Sequence, residues 1–118
     1  MSLVLVLDDE PAIVKMIAAV LTDVGYDATA IPGDAETALD LAQRRKPDIV
    51  ITDVRLPGMD GAELARRIKA NAEMATTPVI LMSAYSAPSP NPGDAFLQKP
   101  FDVEQLALTV RRHIGDRR

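Results

Sequence analysis

The chain has no cysteine and no tryptophan, and its only aromatic residues are Tyr26, Tyr85, Phe96 and Phe101. Without cysteine, disulfides and thiolate metal sites are excluded, and a reducing compartment suits the chain. Without tryptophan and with so few rings, the core must be assembled from Val, Ile, Leu, Ala and Met. No apolar run approaches the ~20 residues that a membrane-spanning helix needs. The N-terminus also has no basic stretch leading into a signal-type apolar segment. A cytoplasmic location without membrane contact is the expectation. The net charge of −4 provides no general attraction to nucleic acid or anionic lipid, so no nucleic-acid contact is expected either.

What is present is ordinary for a globular chain: 118 residues, 47% apolar and 25% charged, the size of one domain spanning 1–118. Leu3–Leu7 is a continuous apolar run, too short for a helix, and reads as a strand buried on both faces. Pro11 suits the first turn of a helix, and Ile13, Met16, Ile17, Val20 and Leu21 follow at helical spacing up to Gly25. Asp27–Ile31 reads as a second strand. Gly33-Asp34 offers a cap to a second helix, whose stripe is Ala35, Ala38, Leu39 and Ala42. Arg44-Arg45-Lys46 suit the negative end of that helix, and Pro47 stops it.

Ile49-Val50-Ile51 is a third buried strand, running into Thr52-Asp53. The turn Leu56-Pro57-Gly58-Met59-Asp60-Gly61 leads into a third helix with Leu64, Ala65 and Ile68 inward. Val79–Met82 and Ala95-Phe96-Leu97 read as strands four and five, and Val103–Ile114 as a closing helix with Leu106, Val110 and Ile114 on one side. Such alternation predicts an α/β fold, a doubly wound parallel sheet with helices on both faces and right-handed crossovers. In open sheets of this class, ligands bind outside the carboxyl ends of the strands.

Four strand ends carry chemistry. Asp8-Asp9 follow strand one, Asp53 ends strand three, Ser83 ends strand four, and Lys99-Pro100 follow strand five. Singly, each reads as a cap, a turn or a solvated surface group. At one sheet edge together they read as a site. Neighbouring carboxylates repel, and a divalent cation relieves that repulsion. An all-oxygen set suits Mg²⁺ or Mn²⁺ rather than Zn²⁺.

Asp8-Asp9-Glu10, the segment Ile51–Gly61 (ITDVRLPGMDG), Ser83-Ala84 and Lys99-Pro100-Phe101 resemble the receiver domain of two-component response regulators, and the resemblance covers essentially the whole chain. It implies a flavodoxin-like five-stranded sheet in the order 2-1-3-4-5. It implies further that Asp53 is a phosphoacceptor taking its group from a sensor histidine kinase or a phosphotransfer protein. Asp9, Asp53 and the backbone carbonyl of Arg55 would ligate the metal directly, and Asp8 would act through a water. Lys99 and Ser83 would contact the phosphoryl oxygens. Ser83 and Phe96 would form the conformational switch, although Phe96 also reads as plain core packing. Arg55 and Tyr85 would flank the phosphoryl group and lengthen its life, the competing reading being that both project into solvent. Such a domain is not an enzyme in the turnover sense: it catalyses its own phosphoryl transfer and slow dephosphorylation.

The chain departs from the family between strands four and five. A fourth helix is expected there, but only residues 84–95 are available, and they contain Pro88, Pro90 and Pro92. Each interior proline costs a helix about 3 kcal/mol. An extended, polyproline-like crossover is therefore expected, passing over the sheet and leaving little to cover it. The bare face would be hidden by the crossover, by a partner or by a second copy in a homodimer. The crossover itself becomes a candidate phosphorylation-sensitive element.

Two other functions compete. One is a receiver-shaped interaction module that works without phosphorylation. The other is a phosphatase with an aspartyl intermediate, disfavoured by the lack of a D-x-D at a strand end and of a cap insertion. A dinucleotide site is excluded, since no glycine fingerprint follows strand one. His113 lies near the end of the last helix, where a cation suits the dipole, and Arg111-Arg112 and Arg117-Arg118 read as a solvated end or the start of a linker.

Overall fold

The computed structural model describes residues 2–31 and 35–114. Gly33-Asp34, expected to cap the second helix, and Arg117-Arg118 lie outside the described residues. The elements run β1 (Leu3–Leu7), α1 (Pro11–Asp23), β2 (Asp27–Ile31), α2 (Ala35–Arg45), β3 (Ile49–Asp53), α3 (Gly61–Ala70), β4 (Val79–Ser83), β5 (Ala95–Gln98) and α4 (Val103–Ile114). All strand pairings are parallel, in the order β2-β1-β3-β4-β5. The winding direction changes between β1 and β3, so their carboxyl ends border the crevice where this class of sheet binds ligands.

Alternation along each strand divides the core in two. Val4, Val6, Ile49, Ile51, Ile80, Met82 and Leu97 face the layer of α1 and α4, meeting Val14, Ile17, Leu21, Leu106, Val110 and Ile114. Leu5, Leu7, Val50, Val79 and Leu81 face the layer of α2 and α3, meeting Ala35, Ala38, Ala42, Leu64, Ala65 and Ile68. With alanines along its inner face, α2 has little side chain standing between it and the sheet. In α1 the expected stripe is corrected: Val14 is buried, whereas Met16 is 36% exposed. Val14, Ile17 and Leu21 lie on one line of a 3.6-residue helix, and Met16 lies about 100° from Ile17.

The helix ends follow local chemistry. Pro11 opens α1 where its missing N–H is harmless. Gly25 follows α1 with φ +103°, a conformation that favours glycine. Asp60 caps α3 by accepting a hydrogen bond from the Glu63 N–H at 2.7 Å.

No helix forms between Ser83 and Ala95, as the prolines require. The crossover covers more than its extended form suggests, and of the three covers expected for this face it is the one found: Val79 and Leu81 are both 0% exposed. The crossover itself lies on them. Gly93 sits so close that a Cβ there would fall 2.8 Å from the Val79 carbonyl oxygen and 3.4 Å from Leu81 Cγ. Full burial of a leucine or valine contributes about 1.5–3 kcal/mol, which favours holding the segment down.

Candidate functional site

The site is built at the carboxyl edge of the sheet. Asp53 and Ser83 are the last residues of β3 and β4, while Asp8 and Lys99 are the first residues beyond β1 and β5. Parallel pairing in register brings these ends together. Asp8, Asp53 and Ser83 are all buried, and Asp9 and Glu10 are exposed.

Lys99 joins the edge. Its Nζ lies 2.6 Å from Asp8 Oδ2, 3.1 Å from Asp53 Oδ2 and 3.8 Å from Glu10 Oε1. The lysine is itself tied to β4, since its backbone N–H donates to the Ser83 carbonyl at 2.8 Å. Asp8 Oδ1 accepts the Glu10 N–H at 2.9 Å, so both Asp8 oxygens are engaged. Asp53 Oδ1 accepts the Arg55 N–H at 3.3 Å. Ser83 Oγ accepts the Tyr85 N–H at 3.0 Å.

Burial pushes the Asp53 carboxyl above its ordinary value, and this outweighs the opposing pull of the Lys99 ammonium. Burial would lower Lys99, but the hydrogen bonds to Asp8 and Asp53 hold the ammonium above its ordinary value. The edge is thus rich in negative charge, with one half-buried cation distributed over it.

Backbone packing fixes Asp53 from behind. Thr52 Oγ1 donates to the Asp53 carbonyl at 2.9 Å, and the Gly61 N–H donates to the Val54 carbonyl at 2.7 Å. A Cβ on Gly61 would collide with the Asp53 carbonyl oxygen, so the start of α3 lies against the strand end only because residue 61 has no side chain.

A cleft of about 220 Å³ opens over this edge, lined by Asp9, Glu10, Asp53, Arg55, Ser83, Tyr85 and Lys99 among others. Carboxylate oxygens of Asp8, Asp9 and Glu10 lie within 4.8 Å of one another. These donors are all oxygens, the chemistry that fits Mg²⁺ or Mn²⁺. Asp53 is not part of that tight set, but it shares the cleft wall with Asp9 and Arg55. Glu10 is a donor that sequence reasoning passed over, although the acidic run Asp8-Asp9-Glu10 was the available signal.

Asp8, Asp9, Asp53, Ser83 and Lys99 therefore converge as their positions after the strands suggest. Arg55 and Tyr85 flank the cleft and also meet across it, with the guanidinium carbon 4.2 Å from the ring centroid. Phe96 is not in the cleft. It pairs in register with Leu81 and is half-buried against the α2–α3 layer. His113 is likewise remote, its Nδ1 lying 2.8 Å from the Thr109 carbonyl oxygen of its own helix. Among the described residues, no helix is long and apolar enough to cross a membrane.

Comparison with known proteins agrees with this geometry. A family model described as the response regulator receiver domain matches residues 4–111. The probable transcriptional regulatory protein TcrX of Mycobacterium tuberculosis is 34% identical over 114 residues, covering 92% of this chain and 47% of TcrX. The DNA-binding response regulator MtrA of Mycolicibacterium smegmatis is 31% identical over 117 residues, covering 94% of this chain and 50% of MtrA. The chain thus spans about half the length of the curated relatives it matches. Among solved structures, the receiver domain of a Pseudomonas aeruginosa sensor histidine kinase superposes with a TM-score of 0.87 at 29% identity, over 98% of each chain. That structure holds a magnesium ion coordinated in its active site cleft.

Proposed function

This chain belongs to the response regulator receiver domain family, phosphoacceptor signalling domains of two-component systems, and from that premise we propose that Asp53 is its phosphoacceptor. The observation that carries the assignment is the Lys99 ammonium placed between Asp8 and Asp53 at the edge of the cleft. An Asp53 oxygen attacks the phosphorus of a phosphohistidine. The O–P bond forms as the P–N bond breaks; the ring nitrogen keeps the electron pair, and the imidazole leaves neutral when its other nitrogen already carries a proton. Phosphoryl transfer needs little beyond positioning and charge neutralisation. Lys99 supplies charge at the phosphoryl oxygens, and Ser83 supplies a hydroxyl donor once it turns from Tyr85.

Asp9, Asp53 and the Arg55 carbonyl would hold Mg²⁺ or Mn²⁺, and Asp8 would act through a water, with Glu10 available at the same rim. A cation bound there would offset the negative charge of the phosphoryl group and the carboxylates. Ser83, Phe96 and the crossover 84–95 carry the change of shape. Arg55 and Tyr85 shield the acyl phosphate and slow its hydrolysis. The domain is not a turnover enzyme but a substrate that helps its own phosphorylation.

Receiver domains interact with histidine kinases, and a sensor histidine kinase or phosphotransfer protein is the donor we assign here, in the cytoplasm. TcrX is named a probable transcriptional regulatory protein and MtrA a DNA-binding response regulator, and each is about twice the length matched by this chain. This domain itself we read as free of nucleic-acid contact.

The test is intact-mass spectrometry after incubation with acetyl phosphate, with and without Mg²⁺, and with Asp53→Asn as control. A Mg²⁺-dependent gain of one phosphoryl group, absent in the variant, is expected. No gain, with Mg²⁺ still bound, would favour a module that works without phosphorylation.

A further inference from the structure

We propose that the Arg55 side chain is a ligand of the phosphoryl group on Asp53, parked on the Tyr85 ring until that group arrives. The inference rests on the reading of Asp53 as phosphoacceptor. Among the described residues, the Arg55 guanidinium makes no ion pair, and its contact is the face of Tyr85, 4.2 Å from the centroid. Its backbone is already bound to the reacting residue through the hydrogen bond from its N–H to Asp53 Oδ1 at 3.3 Å. The side chain is thus rooted beside the carboxylate and leans across the cleft that both residues line.

Charge decides where the guanidinium rests. In the unphosphorylated site, Lys99 already serves Asp8 at 2.6 Å and Asp53 at 3.1 Å, with Glu10 at 3.8 Å. Phosphorylation replaces the single charge of Asp53 with about −1.5 to −2 and adds three acceptor oxygens. Lys99 is held by Asp8, and Arg55 is the other cationic side chain that lines the cleft, so it is the one free to meet the added oxygens alongside a bound metal. A guanidinium on an exposed ring is held only by attraction to the π-face, and Tyr85 is 59% exposed. Facing phosphoryl oxygens, the same fork forms two charge-assisted hydrogen bonds, which are stronger. The phosphoryl group therefore takes the arginine from the tyrosine.

Tyr85 is consequently doubly sensitive to Asp53. Its ring carries Arg55, and its N–H donates to Ser83 Oγ at 3.0 Å. Both holds come from groups that a phosphoryl group attracts. Tyr85 stands near the start of the proline crossover, so a change in its contacts is felt by the first residues of that segment while its ring still borders the cleft.

The sequence offers a direct reporter. There is no tryptophan, Tyr26 is 6% exposed, and Tyr26→Phe leaves Tyr85 as the single tyrosine. The Tyr26→Phe protein is treated with acetyl phosphate and Mg²⁺, and phosphoryl gain by intact mass and tyrosine emission are read on the same samples. Emission is expected to change in proportion to the phosphoryl gain. With Arg55→Ala added, the emission before treatment should already differ, and the change per phosphoryl group should fall by at least about half. Arg55→Lys, which keeps charge but loses the planar fork, should restore this only in part. Phosphoryl gain with steady emission, or an undiminished change in the alanine variant, would overturn the inference. If no phosphoryl group is gained at all, the phosphoacceptor reading fails first, and the inference falls with it.

Discussion

Asp94 and Val79 are bonded to each other twice: the Asp94 N–H donates to the Val79 carbonyl, and the Val79 N–H donates to Asp94 Oδ2, both at 2.7 Å. The same carboxylate lies 2.6 Å from Lys69 Nζ, and that ammonium also donates to the Thr77 carbonyl at 2.7 Å. This clasp joins the end of the crossover to the start of β4 and to α3, which compensates for the missing helix.

Asp94→Ala would leave the Val79 N–H without its partner. An unsatisfied buried donor costs about 1–3 kcal/mol, so urea unfolding should show a loss of that order. Amide exchange from Gly93 to Phe96 should quicken. Unchanged stability would mean that the apolar contact of Gly93 alone holds the segment.

Gly61→Ala tests the rear wall of the site. The added Cβ would meet the Asp53 carbonyl oxygen, and that contact is backbone, which cannot swing aside. Overpacking of this kind costs about 1–3 kcal/mol. The displaced strand end should also slow phosphorylation more than the stability loss explains. A variant with wild-type stability and rate would show that α3 shifts freely.

Lys99→Met removes the cation between two carboxylates whose side chains are 0% and 9% exposed. Breaking a buried pair by deleting one partner costs on the order of 3–5 kcal/mol. Added Mg²⁺ should restore part of this in the variant, because the metal relieves the same repulsion, and a chelator should reverse the gain. Equal unfolding curves with and without Mg²⁺ would count against a metal at Asp9 and Asp53.

Asp53→Asn should raise the melting temperature in metal-free buffer at neutral pH. The folded-state carboxyl titrates above its ordinary 3.8, so the native protein holds the proton more tightly than the unfolded chain. Its stabilising contribution is present below pH 3.8 and is lost as pH rises through the folded value. The advantage of asparagine should therefore grow across that window and level off above it. A pH-independent difference in melting temperature would contradict the burial argument.

Much of the architecture is legible because two periodicities carry it. Leu3–Leu7 and Ile49–Ile51 are too short for helices, and the stripe Leu106, Val110, Ile114 is helical. Strand ends then place Asp8, Asp53, Ser83 and Lys99 without further information. Met16 was misplaced because an apolar residue next to a stripe looks like part of it. The Asp94–Lys69 pair was not visible at all, since nothing local marks two residues joined only by how β5 returns to the sheet. Arg55 and Tyr85 were legible as flanks of the cleft, but their mutual contact depends on side-chain direction across the gap.

The proline crossover also shortens a distance. Ser83 is buried, whereas Ala84, Tyr85, Ser86 and Ala87 are exposed. A rearrangement at the hydroxyl thus reaches the outer surface within one peptide unit, with no intervening helix to tilt or repack. A partner resting on these few residues would touch the chemistry almost directly.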